Sequence, residues 1–274
     1  MATNPRHPQH TILSRLLVLT SIVLLSSLIL VPAAITAPSS EPNFWENWTH
    51  VDGDEFTNAP VNTQFWGLYD SPGHAGNGLR RPAAISVQDG HLRITGDTNI
   101  VSGGMMSQGH DYNRGRWAVR MRLNHSGPGS PYHAVAALIP AGVPYYEGAR
   151  DLDFAEGDVG SGTIYAFLHY RTPVGNKQDY SPAYLDLTQW HEYVLEVTDT
   201  HMTWFVDGVA IFTDLNRLAI PSGYGLEMNL QLDAYSPSGK ALTYMDVDYI
   251  RYYPIPSGGT PATPAAPPLV GDYR

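Results

Sequence analysis

Apolar and polar residues alternate in short stretches along the middle of the chain. In Arg116–Leu123 (RWAVRMRL), Trp117, Val119, Met121 and Leu123 share one side, and Arg116, Arg120 and Arg122 the other. That period of two is the mark of an antiparallel strand with one side toward a core. In EMNLQLD, Glu227, Asn229, Gln231 and Asp233 alternate with Met228, Leu230 and Leu232. HLRIT (91–95), HAVAALI (133–139), TIYAFLHY (163–170), HEYVLEVT (191–198), MTWFVDG (202–208) and MDVDYIRYY (245–253) are similarly rich in β-branched and aromatic residues. The turn formers QDG, NRG, SGPGSP, VDG and SPSG separate them. WFVDGVAIF reads as a hairpin through its Asp207-Gly208 turn. No segment sustains an apolar period of 3.6, so less than about a tenth of the chain should be helical. Many strands without intervening helices predict an all-β sandwich of two packed antiparallel sheets.

The two ends read differently. Residues 1–15 carry Arg6 and Arg15 and no acid, and residues 16–35 are almost unbroken apolar (LLVLTSIVLLSSLILVPAAI). With the small-residue exit PAAITAPSS, residues 1–40 read as a secretory signal or as an uncleaved N-terminal anchor, since about 20 apolar residues span a bilayer. Either way the remainder is expected to be secreted or extracytoplasmic. It meets a membrane only if that segment stays attached. The stretch PIPSGGTPATPAAPP (254–268) lacks apolar periodicity, and residues 255–274 read as a disordered Pro/Thr-rich tail. One folded domain over 42–254 remains, with a monomer expected.

Composition narrows the function. Of the 274 residues 43% are hydrophobic and 15% charged, which suits a packed domain. Acids outnumber bases 26 to 16, and removing Arg6 and Arg15 leaves a net charge of −12, which argues against a nucleic-acid partner. Cysteine is absent, which excludes disulfides, thiolate zinc sites and cysteine nucleophiles.

One cluster carries chemistry: Asp151-Leu152-Asp153-Phe154-Ala155-Glu156. In a regular strand Asp151 and Asp153 share a side and Glu156 opposes them. A β-bulge near Ala155 turns Glu156 onto their side. Three crowded carboxylates raise some of their pKa values. Glycoside hydrolysis needs such a division, with one carboxylate ionised as nucleophile and one protonated as acid.

This segment resembles the Glu-x-Asp-x-x-Glu signature of glycoside hydrolase family 16, the laminarinase and lichenase group. VDGDEF (51–56) with NTQFW (62–66), VQDGHLRIT (87–95) and GGMMSQGHDYNRGRWAVRMRL (103–123) resemble the family's segments before the signature. FLHY (167–170), WHEYVLEV (190–197), WFVDG (204–208) and MDVDYIRYY (245–253) resemble those after it. The resemblance implies a concanavalin A-like jelly roll and retaining endo-hydrolysis of a β-glucan-like polysaccharide. By the same resemblance Asp151 stands at the nucleophile position, Asp153 at the middle acid and Glu156 at the acid/base. No cofactor is required.

The family's first Glu is Asp151 here. Positions 151 and 153 lie about 6.6 Å apart along a strand. The outer carboxyls must lean together to reach the roughly 5–5.5 Å of retaining enzymes. Asp withdraws its oxygens by about 1 Å, an error that can cost about 100-fold. Three outcomes are open: a backbone that compensates, altered chemistry across a wider gap, or a lectin-like protein that binds sugar without cleaving it.

For substrate binding the resemblance singles out Asn229 and Gln231 in MNLQLD. His169 in FLHY either hydrogen-bonds near the site or closes a core network, the two being equal alternatives. Tyr145, Tyr146, Tyr165, Tyr170, Tyr180 and Tyr235 are aromatic candidates against sugar rings, with core packing the alternative for each. Glu147 stands four positions before Asp151, outside the matched register. Asp248 aligns with a family Asp that helps hold a structural calcium; a solvated Asp is the alternative. Trp66, Trp190 and Trp204 are expected in the core.

Overall fold

A computed structural model of the chain describes residues 44–142, 151–217, 219–257 and 267–272. The N-terminal signal or anchor segment, and Tyr145, Tyr146 and Glu147, lie outside the described residues. No helix among the described residues is long and apolar enough to cross a membrane.

The regular structure of the described residues is nearly all strand, with two short 3₁₀ turns at His74–Gly76 and Pro82–Ala84. One sheet runs in the order β16 (Val209–Asp214), β15 (Met202–Val206), β14 (His191–Val197), β9 (Gly115–Ser126), β18 (Leu242–Tyr253), β6 (His91–Gly96) and β5 (Ile85–Gln88), with β1 (Asp52–Asp54) added to β18. The second runs β19 (Leu269–Asp272), β13 (Gly175–Tyr184), β12 (Thr163–Thr172), β11 (Leu152–Asp158), β10 (His133–Pro140), β17 (Leu226–Asp233), β8 (Gly104–Ser107) and β2 (Trp66–Leu68). A small third sheet joins β3 (Ser71–Pro72), β4 (Leu79–Arg80) and β7 (Val101–Ser102). Pairing in both large sheets is antiparallel. The fold is an all-β sandwich of the jelly-roll type, as the strand pattern predicts.

The core lies between the large sheets. Trp117, Val119, Met121 and Leu123 of β9 are buried on one side of it, and Met228, Leu230 and Leu232 of β17 on the other. Burial of each such side chain contributes roughly 1.5–3 kcal/mol, and this is what fixes the register of the strands. The VDG hairpin joins β15 to β16, with Asp207 and Gly208 both at positive φ (50° and 78°). Those angles are what a two-residue turn of this hand demands.

Three expectations change. Arg116 lies on the side of β9 away from the main core, yet it is only 4% exposed. Phe44, Trp45 and Trp48 cover it, and its guanidinium pairs with buried Glu196 at 2.9 Å. A charge taken out of water needs such a partner. Trp190 is half-buried and lies over Arg120 and Arg122 rather than in the core, whereas Trp66 and Trp204 are core residues. At the far end, Leu269–Asp272 of the expected tail pairs with the edge strand β13. An edge strand offers unpaired backbone groups, and the LVGD segment satisfies them despite its Pro-rich approach.

Candidate active site

The acids sit on β11, in the middle of the second sheet. Along β11, Ala155 faces Ala136 of β10, but the next residue of β10, Ala137, faces Asp153, so Phe154 is extra. On the other edge, Asp153 opposes Phe167 and Glu156 opposes Tyr165, so three steps on β11 match two on β12. This is a β-bulge at Phe154–Ala155. Leu152, Phe154 and Ala155 are all buried in the core, while Asp153 and Glu156 share the opposite side. The apolar pair Phe154-Ala155 thus supplies the physical reason for the bulge, since both side chains gain by burial.

Register extends this side of the sheet across six strands. One row runs Met106, Asn229, Ala137, Asp153, Phe167 and Tyr180. The next runs Gly104, Gln231, Val135, Glu156, Tyr165 and Pro182. The small side chains of Ala137 and Val135 flank the acids on one side. The half-buried rings of Tyr165, Phe167 and Tyr180 form an aromatic wall on the other, with centroids 5.6–6.3 Å apart.

Asp153 is 3% exposed. Burial, then the charges of Glu156 and Asp151, push its carboxyl well above the usual carboxylate range, and its proton is hydrogen-bonded to Glu156. Glu156 moves the other way. Its burial is outweighed by hydrogen bonds from His133, Tyr235 and Asp153, which hold it below the ordinary range. The pair therefore shares one proton, resident on Asp153. His133 Nε2 lies 2.8 Å and Tyr235 Oη 2.9 Å from Glu156 Oε1.

His169, 7% exposed, places Nε2 3.1 Å from Asp153 Oδ2. Burial lowers its pKa despite the nearby Glu156 and Asp151 charges, so the ring is neutral at pH 7. Trp204 reaches across the core from the first sheet and donates its indole N–H to the Asp153 backbone oxygen at 2.9 Å. The bulge is thus tied to both layers. Asp151 lies just before β11 and is half-buried; its backbone oxygen accepts from the His169 N–H at 2.9 Å.

The ligand-type atoms of Asp153, Glu156 and His169 lie within 4.8 Å of one another, a spacing a metal ion could bridge. Each already has a hydrogen-bonding neighbour in the set.

The other candidates divide. Asn229 and Gln231 lie on the acids' side, but Asn229 is fully buried. Its amide donates to the Tyr69 hydroxyl at 2.5 Å and accepts from Gln231 at 2.7 Å. Tyr69 and the Arg80–Asp233 ion pair (2.6 Å) occupy that end of the sheet. Tyr170 takes the core-packing alternative. Alternation along β12 turns it away from His169 and onto the core, where its hydroxyl donates to Asp179 at 3.1 Å. Asp248 lies on β18 in the other sheet, and its carboxylate is paired with the Arg120 guanidinium at 2.5 Å.

His133 and Tyr235 were not assigned this place from the sequence. His133 lies in an otherwise apolar strand, HAVAALI, and only its alternation with Val135 and Ala137, on the side away from Ala134 and Ala136, signals that it leaves the core.

Solved structures with this architecture are numerous. The laminarinase catalytic domain of Thermotoga maritima superposes with a TM-score of 0.59 at 20% identity, over 76% of this chain and 99% of that one. The chain has the fold of glycoside hydrolase family 16. A family 16 endo-glucanase from Bacteroides ovatus gives 0.60 at 15% identity, over 73% and 99% of the two chains. A Flavobacterium laminarinase gives 0.59 at 17%, over 75% and 100%. No family model matches the sequence, and no curated protein does. At these identities the family 16 likeness is one of fold.

Proposed function

We propose that the chain is an exported glycoside hydrolase that cleaves internal O-glycosidic bonds of a β-glucan-like polysaccharide with retention. The observation that carries this reading is the Asp153–Glu156 pair, which keeps one carboxyl protonated beside an ionised one in the middle of the sheet. Asp151 is the nucleophile of this reading. Its carboxylate attacks the anomeric carbon as the glycosidic C–O bond breaks, and the pair delivers its proton through Glu156 to the leaving oxygen. Glu156 then takes a proton from the water that cleaves the glycosyl ester. Asp153 holds that proton between turnovers. The wall of Tyr165, Phe167 and Tyr180 offers flat faces to sugar rings. The solved laminarinases and endo-glucanases of the same fold support the choice of polysaccharide.

A second reading is a sugar-binding protein that does not cleave. The clamp of His133 and Tyr235 on Glu156, together with the short Asp151, favours it. A panel of β-glucans and galactans, scored for new reducing ends and for binding, separates the two. New reducing ends support the hydrolase. Binding to any glucan or galactan without them supports the lectin, and neither outcome on any polysaccharide overturns both.

A further inference from the structure

His133 lies between two carboxylates. Its Nε2 is 2.8 Å from Glu156 Oε1 and its Nδ1 2.9 Å from Asp158 Oδ1. Ionised carboxylates only accept hydrogen bonds, and a neutral imidazole has one N–H to give. Satisfying both contacts takes the doubly protonated ring. Asp158, with 65% of its side chain exposed, is ionised in water, and Glu156 is held ionised by the hydrogen bonds it receives from Tyr235 and Asp153, so the demand is met by His133. Tyr235 supports the same charge state twice. Its ring stacks on the imidazole, with centroids 4.1 Å apart and planes 20° apart, and its hydroxyl donates to the same Glu156 oxygen at 2.9 Å. His74 packs on Tyr235 at 4.5 Å and backs the stack.

The other charges around this ring are spoken for. Asp233, the cross-strand neighbour of His133 on β17, is paired with Arg80. The charge of Lys240 acts on Asp158. Asp153 lies behind Glu156 and holds the proton of the pair, and Asp151 acts on Asp153.

We infer that His133 is a positioning residue for Glu156: as an imidazolium it fixes the carboxylate against β10 and drives the proton of the acid pair onto Asp153. Burial opposes its charge, but the bonds to Asp158 and Glu156 lift its pKa to about 9. At neutral pH the free protein therefore holds Glu156 without the proton. The pair must shift that proton from Asp153 to Glu156 before a leaving oxygen can receive it, and His133 opposes the shift. The kinetic part of this inference rests on the hydrolase reading; the charge state of His133 does not.

Histidine-resolved NMR titration of the full chain tests the charge state. His133 should stay doubly protonated well above pH 7, and Glu156→Gln should lower its midpoint by about one pH unit or more. A His133 that titrates near 6.5, or one indifferent to Glu156→Gln, overturns the inference. His133→Gln, which keeps one donor and removes the charge, tests the consequence. The basic limb of the kcat/KM profile should move upward by about one pH unit, with the melting temperature measured alongside. An active variant with an unmoved basic limb overturns the positioning role. Absence of hydrolysis in the parent protein at every pH sinks the hydrolase reading instead, and leaves the titration to decide His133.

Discussion

Replacing Asp179 with Asn should flatten the pH dependence of stability. Asp179, on β13 of the second sheet, is 5% exposed, and Asp214, on β16 of the first, is 2% exposed. Burial, then the hydrogen bond and charge of Asp214, raise Asp179 from an ordinary 3.8 to about 7. The folded chain therefore binds this proton more tightly than the unfolded chain. A raised carboxylate stabilises nothing on ionising; its cost is absent below about pH 4 and accumulates as pH rises toward 7. At 1.36 kcal/mol per pH unit, the fold should lose about 2–3 kcal/mol between pH 5 and pH 8 through this pair. That is a large part of a typical 5–15 kcal/mol of stability. An amide at 179 is neutral throughout and still donates to Asp214. Urea unfolding at pH 5 and pH 8 measures the difference in slope between the two proteins. Since the proton belongs to the pair, Asp214→Asn should flatten the curve similarly. Equal pH dependence in Asp179→Asn and the parent would refute the reasoning.

Glu156→Gln keeps the shape and removes the proton donor, so reducing-end release should fall by about 100-fold or more while glucan binding persists; unchanged turnover shows that the acid is elsewhere. Asp151→Glu distinguishes the two functional readings by sign. It overfills a site adapted to Asp and lowers hydrolysis if the chain is an enzyme, and it creates or raises hydrolysis if the site has lapsed to binding. Trp204→Phe leaves the Asp153 carbonyl without its indole donor in a dry core, and should cost about 1–3 kcal/mol in denaturant titration. A variant as stable as the parent shows that the bulge does not depend on that bond.

The sequence alone determined the fold class. Alternation in β9 and β17 names the buried residues, because a period of two leaves a half-buried strand only one way to face. It also determined that Asp153 and Glu156 could meet, since apolar residues on both sides of an odd spacing require a bulge to satisfy burial. Strand β13 was not legible. GNKQDYSPAY is polar and contains Pro182, and it pairs because β12 presents it an edge. The burial of Arg116 was equally hidden, because the aromatic cover at residues 44–48 is distant in sequence. Only the tertiary structure decided the charge state of the site. His133 lies 23 residues from Glu156, and Tyr235 lies 79 residues from it. Three separate segments must dock before the pair has anywhere to send its proton. A carboxylate's pKa depends on what surrounds it in space, and alternation along the chain carries only the direction in which each residue points.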